Sequence, residues 1–223
     1  MTATHTPYTH VLFDLDGTLI DSAPSILAGF AAVLREHQLT PVRALDDRLI
    51  GPPLPDTLMN LTGITDPARI PALVETFKAN YDTEGYRATR VYDGIAELLR
   101  TLHQQDVYLA IATNKRLQPT RQILEFLGWA DYFQAVYALD MTTPRLPHKT
   151  AMLTALLSEQ AIPRDRAVYI GDKPEDGHAA TANGVPFIGV NWGYDGFANP
   201  ADYPADWQYI RQPQQLQGKI QKN

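Results

Sequence analysis

The sequence predicts an α/β fold: a doubly wound parallel sheet, Rossmann-like in outline, with a small helical segment inserted after the first strand. Three observations carry this expectation. Short, near-continuous apolar runs recur along the 223 residues, each followed by a turn and a helical pattern. Such runs suit strands covered on both faces. Strand–helix units in series imply parallel pairing with right-handed crossovers. Finally, residues 21–90 contain only helical patterns, a stretch too long for an ordinary connection.

The first strand is expected over residues 8–13, where Val11, Leu12 and Phe13 need burial, and it runs straight into Asp14-Leu15-Asp16-Gly17-Thr18. Helical patterns follow at residues 24–37, 54–61 and 67–81, punctuated by Gly51-Pro52-Pro53 and Gly63. These form the inserted domain, residues 21–90, with linkers near residues 20–23 and 87–94. Residues 1–20 and 91–223 form the core domain. In the core, helices are expected at 95–104, 116–127, 149–159 and 175–183. Strands are expected at 107–112, 135–138, 167–170 and 186–190. The polar C-terminal stretch QPQQLQGKIQK is expected to fray. There is no internal repeat and no low-complexity segment.

Composition narrows the function. Hydrophobic residues make up 44% of the chain and charged residues 20%, ordinary for a globular protein able to bury a sizeable core. The absence of Cys excludes disulfides, thiolate metal sites and thiol nucleophiles. A net charge of −6 without a basic stripe argues against a nucleic-acid partner. A small phosphate substrate stays open, because a bound metal and a few lysines can reverse the local field. Residues 1–10 are polar with no apolar signal core, and no run is long enough to span a bilayer. A cytoplasmic protein without a membrane partner is therefore expected.

Ligands of doubly wound sheets sit beyond the carboxyl ends of the strands. Four stretches would meet there: Asp14-Leu15-Asp16-Gly17-Thr18, Thr113-Asn114-Lys115, the Lys149 helix start, and Gly171-Asp172 with Asp176 four residues on. Asp14, Asp16, Asp172 and Asp176 crowded into one edge need a cation, and a hard one with oxygen ligands such as Mg²⁺ suits them. Taken singly these residues have commoner readings, as turn formers, helix caps or a solvated lysine. Their joint order and spacing are what point to a site.

That set, in that order, closely resembles the haloacid dehalogenase superfamily on its phosphatase side. The helical insertion sits where that family carries its class I cap, and the likeness runs from Val11 to about Gly196, including the tail GVNWGYDG. Gly51-Pro52-Pro53-Leu54 is similar to the cap of phosphoglycolate phosphatase-like members. The resemblance implies Asp14 as nucleophile, giving an aspartyl-phosphate, and Asp16 as general acid and then base. It implies Mg²⁺ held by Asp14, the backbone carbonyl of Asp16 and Asp172, with Asp176 orienting a metal water or Lys149 from behind. Thr113, the Asn114 backbone and Lys149 would hold the transferring oxygens. The substrate would be a small phosphorylated metabolite: phosphoglycolate, a nucleoside monophosphate, a sugar phosphate or pyrophosphate.

Two positions depart from the family pattern. Lys173 stands where relatives usually show a small hydroxyl residue, and Thr150 where Pro is frequent. His148 and His178 are read as exposed, Arg87 and Arg90 as solvated or paired, and Trp192 and Tyr194 as closing a loop over the core. The alternatives are a phosphomutase, disfavoured because Leu54 stands where an Arg would grip a second phosphate, and a catalytically silent binding protein. A haloacid dehalogenase would not need Asp16.

Overall fold

In chain order, β1 (His10–Phe13) and β2 (Ile20–Asp21) precede three helices, α1 (Ala23–Glu36), α2 (Leu54–Thr62) and α3 (Ile70–Tyr81). Next come β3 (Arg90–Val91), α4 (Ile95–Gln104), β4 (Tyr108–Thr113), α5 (Leu117–Phe126) and β5 (Ala135–Ala138). The chain continues through α6 (Lys149–Glu159), β6 (Ala167–Gly171), α7 (Pro174–Ala182), β7 (Phe187–Val190), β8 (Gln208–Ile210) and α8 (Gln214–Gln217). This is a computed structural model, and it describes residues 8–194, 197 and 199–220. Residues 1–7 of the polar N-terminus, residues 195–196 of the tail motif and the last three residues lie outside the described residues.

Six strands form one all-parallel sheet in the order β5-β4-β1-β6-β7-β8. Strand β1 is central, with Phe13 level with Ile111 on one side and Ile170 on the other. Period-two alternation sends Val11, Phe13, Leu109, Ile111, Val168 and Ile170 to one face, packed on α4 and α5 through Leu98, Leu102 and Ile123. Leu12, Ala110, Ala112 and Tyr169 face the other side, against Met152, Leu153 and Leu156 of α6 and Ala180 of α7. Both faces are covered, which is why these strands read as unbroken apolar runs rather than as alternating ones.

Helices α1–α3 lie between β2 and β3, which pair antiparallel as a two-rung ribbon, Ile20 with Val91 and Asp21 with Arg90. The insertion has its own core of Phe30, Val33, Leu58, Leu61, Leu73 and Phe77. Helix α3 starts at Ile70 rather than residue 67, because the Asp66 side chain accepts from the Ala68 N–H and shapes a turn first. Three features differ from expectation. The ribbon strands are two residues each, too short to leave a pattern. Strand β8 is a half-buried edge strand in a polar context. The C-terminal segment does not fray as far as Ile220: Leu216 is buried, and Ile220 bridges to Tyr8 in parallel.

Candidate active site

Strands β1, β4 and β6 end side by side, so their following loops and the start of α6 converge on one edge of the sheet. Asp14 follows β1 directly, its N–H still donating to Ile170 O at 2.9 Å. The chain then turns sharply: Gly17 has φ +85°, and its N–H donates to Ile20 O at 2.8 Å. A Cβ at Gly17 would fall 2.3 Å from an Asp172 carboxylate oxygen. Gly17→Ala is therefore expected to cost about 1–3 kcal/mol of backbone strain and to displace Asp172, lowering both melting temperature and divalent-metal affinity, readable by calorimetry.

Lys149 opens α6, whose first turn is capped by His148 accepting from Ala151 N–H at 3.1 Å. Its ammonium lies 2.5 Å from Asp176 Oδ1 and 3.3 Å from Asp14 Oδ1, with only 3% of the side chain exposed. The other Asp176 oxygen accepts from the Lys173 N–H at 3.0 Å, so both its oxygens are engaged. Asp172 Oδ2 accepts from the Tyr194 N–H at 3.0 Å. Asp14 Oδ1 and Asp172 Oδ1 are buried and accept no hydrogen bond among the described residues.

Charge crowding shows in the acidities. Burial, then the carboxylates of Asp176 and Asp16, outweigh Lys149 and push Asp14 up to about 7. Burial, then Asp176 and Asp14, raise Asp172 well above the usual carboxylate range. Burial opposes the Lys149 charge, yet Asp14 and Asp176 raise its pKa well above the ordinary value. Oxygens of Asp14, Asp172 and Asp176 lie within 4.8 Å of one another. An unpartnered Asp172 oxygen and an Asp14 oxygen with only the Lys149 ammonium nearby, in a group crowded by like charge, fit a small divalent cation, which would remove that cost. The Asp16 carboxylate is not in this group.

Asp16 points instead to a cleft between the sheet edge and the helical insertion. Ser22 Oγ donates to it at 2.5 Å, and Lys115 Nζ lies 3.1 and 3.2 Å from its two oxygens. Lys115 also stands over the Tyr81 ring, 4.8 Å from its centroid. The Lys115–Asp16 pair is the part that sequence reading missed: Lys115 was visible in Thr113-Asn114-Lys115, but its partner is 99 positions away. Thr113 is buried at the end of β4 and its hydroxyl accepts from Lys115 N–H at 3.2 Å. Asn114 Nδ2 donates to Gly51 O at 3.0 Å and to Glu175 at 3.1 Å.

Trp192 and Tyr194 do close a loop. Trp192 Nε1 donates to Thr18 O at 3.0 Å, and the Tyr194 hydroxyl accepts from Ser22 and Ala23 N–H. His178 is exposed and packs edge-on against Trp207, Arg87 pairs with Glu84, and Arg90 is exposed. The Lys173 stem lies against Gly51.

Residues 11–190 match the model of the family described as haloacid dehalogenase-like hydrolase. The tyrosine-protein kinase PtkA of Mycobacterium tuberculosis is 33% identical over 82% of this chain, an alignment that spans 62% of PtkA's own length. Phosphoglycolate phosphatase of Xanthomonas campestris pv. campestris is 33% identical over 92% of this chain and 93% of that protein. A predicted phosphatase from Clostridium acetobutylicum, solved by crystallography, aligns with a TM-score of 0.83 at 28% identity, covering 96% of this chain and 98% of that one. With its family match running from inside β1 to the last residue of β7, the chain belongs to the haloacid dehalogenase-like hydrolases.

Proposed function

We propose that the protein is a Mg²⁺-dependent phosphomonoester hydrolase that acts on a small phosphorylated metabolite through an aspartyl-phosphate on Asp14. The observation that carries this reading is the position of Asp14: a buried carboxylate at the end of the central strand, 3.3 Å from Lys149, next to Asp172, facing the cleft into which Asp16 also points. An Asp14 oxygen attacks phosphorus while the bond to the leaving oxygen breaks. Asp16 gives that oxygen a proton. Water then attacks the phosphorus of the acyl phosphate, Asp16 takes its proton, and Asp14 is released with inorganic phosphate.

Lys149, the Thr113 hydroxyl and the Asn114 N–H hold the non-bridging oxygens as charge spreads over them. Ser22 and Lys115 hold Asp16 at the leaving-group side. Asp14, Asp172 and the Asp16 carbonyl would bind Mg²⁺, whose charge, when bound, lets a carboxylate approach a phosphate. Asp176, with both oxygens already engaged by Lys149 and the Lys173 N–H, acts from behind them.

Residues 21–90 act in this reading as a cap on a core of residues 1–20 and 91–223. The division is supported by the β2–β3 ribbon as stem and by few polar ties across the cleft among the described residues: Arg116 to Asp82, Gln122 to Asp82 O, Asn114 to Gly51 O and Arg145 to Asp56. Among the described residues no helix is long and apolar enough to cross a membrane.

The test is metal dependence. Chelation should abolish phosphomonoester hydrolysis and added Mg²⁺ should restore it. Asp172→Ala should weaken Mg²⁺ binding, measured by calorimetry, at least tenfold more than Asp176→Ala. Full-rate hydrolysis by thoroughly demetallated protein would overturn the metal assignment.

A further inference from the structure

We infer that the natural substrate is the phosphate monoester of an uncharged, largely apolar alcohol carrying a planar ring, not a phosphorylated hydroxy acid. This rests on the hydrolase reading and names its substrate class. The phosphoryl group belongs at the sheet edge, so the leaving group must face the helical insertion. Every side chain that the described insertion contributes to the cleft is uncharged, and most are apolar, including Phe30, Ile50, Leu54 and Phe77. Phe30, Phe77 and Tyr81 form a ladder, with ring centroids 5.0 and 5.3 Å apart and the second pair stacked. A planar ring entering the cleft would join that ladder at its Phe30 end, since Lys115 covers the Tyr81 ring.

The basic residues of the cleft come from the core side, and three of them already hold carboxylates. Lys149 serves Asp14 and Asp176, Lys115 serves Asp16, and Arg116 is doubly bonded to Asp82. Lys173 lines the rim together with Glu175, whose negative charge opposes a second anion there. A carboxylate on the leaving group would have to be buried against hydrocarbon without its own cation, which is strongly unfavourable. One neutral polar atom on the cleft residues, Asn114 Oδ1, is buried and accepts no hydrogen bond among the described residues. It suits a hydroxyl or ring N–H on an otherwise apolar group, since buried polar atoms are normally satisfied.

The experiment compares benzyl phosphate with 2-phosphoglycolate on the full chain loaded with Mg²⁺. Both leave as alkoxides, so intrinsic reactivity does not decide between them. We expect kcat/KM for benzyl phosphate to be at least tenfold higher. Leu54→Arg, which puts a cation on the insertion's side of the cleft, should shift that ratio at least tenfold toward 2-phosphoglycolate. Turnover of both with 2-phosphoglycolate equal or preferred overturns the inference and leaves the hydrolase reading standing, as does an unshifted ratio in Leu54→Arg. If neither ester is hydrolysed, the hydrolase reading fails. Calorimetry on Mg²⁺-loaded Asp14→Asn then decides the inference separately. Benzylphosphonate binding at least tenfold tighter than phosphonoacetate supports it, and equal, reversed or undetectable benzylphosphonate binding overturns it.

Discussion

Asp14→Asn is expected to lower turnover by roughly 10⁴-fold or more, the scale seen when a covalent nucleophile is removed, while the protein stays folded. The two side chains are nearly isosteric, so packing at the end of β1 is kept. The amide cannot form the acyl phosphate, and no second carboxylate is placed to replace it. Asp16 is held by Ser22 and Lys115, and Asp176 is engaged by Lys149 and the Lys173 N–H. Stability should change little, because Asp14 is a carboxylate pushed up to about 7 by burial and by its acidic neighbours. Losing that charge relieves crowding at the same time as it removes one partner of Lys149. Steady-state kinetics with a thermal melt of the same sample checks both halves. Activity within a few-fold of wild type would remove Asp14 from its role.

Lys149→Met is expected to damage both stability and catalysis. The ammonium is the only basic group within 4 Å of both Asp14 and Asp176 among the described residues, and it is buried with them. Removing one member of a buried charge group leaves the others uncompensated, a loss of about 3–5 kcal/mol. For a chain of this size that corresponds to a melting point lower by roughly 10 °C. Met fills similar space, so the loss is electrostatic rather than a cavity effect. The variant carries its own control. Saturating Mg²⁺ would neutralise part of the same charge, so the stability deficit should shrink in its presence while turnover stays at least about 100-fold down. A melting point equal to wild type without metal would show that Lys149 is not the counter-charge of this cluster.

Much of the fold was legible because the central strands are buried on both faces. Val107 through Thr113 and Ala167 through Gly171 leave no doubt as apolar runs, and their ends carry Thr113 and Asp172. Strand β8 was not legible: Gln208 and Tyr209 are half-buried at a sheet edge, so neither an apolar run nor an alternation marks them. The C-terminal segment looked polar because, among its described residues, only Pro213 and Leu216 are buried.

The candidate site divides the same way. Asp14, Asp16, Thr113, Lys149, Asp172 and Asp176 could be read because each follows a strand or opens a helix at a recognisable spacing. What Lys115 touches could not, since Asp16 meets it only through the pairing of β1 with β4 and Tyr81 only through the packing of the insertion on the core. Nor could the engagement of both Asp176 oxygens, one of which depends on the backbone N–H of Lys173. Contacts set by side-chain direction between distant segments leave no local pattern.

Trapping the covalent species tests the central claim most directly. Mg²⁺-loaded protein turning over a phosphomonoester is quenched with borodeuteride, which reduces an acyl phosphate to a labelled alcohol, and is then digested for peptide mass spectrometry. The account predicts the label at position 14, in place of the aspartate, absent without substrate and absent in Asp14→Asn. Label on Asp16 or another carboxylate, or steady turnover with position 14 never reduced, would contradict it.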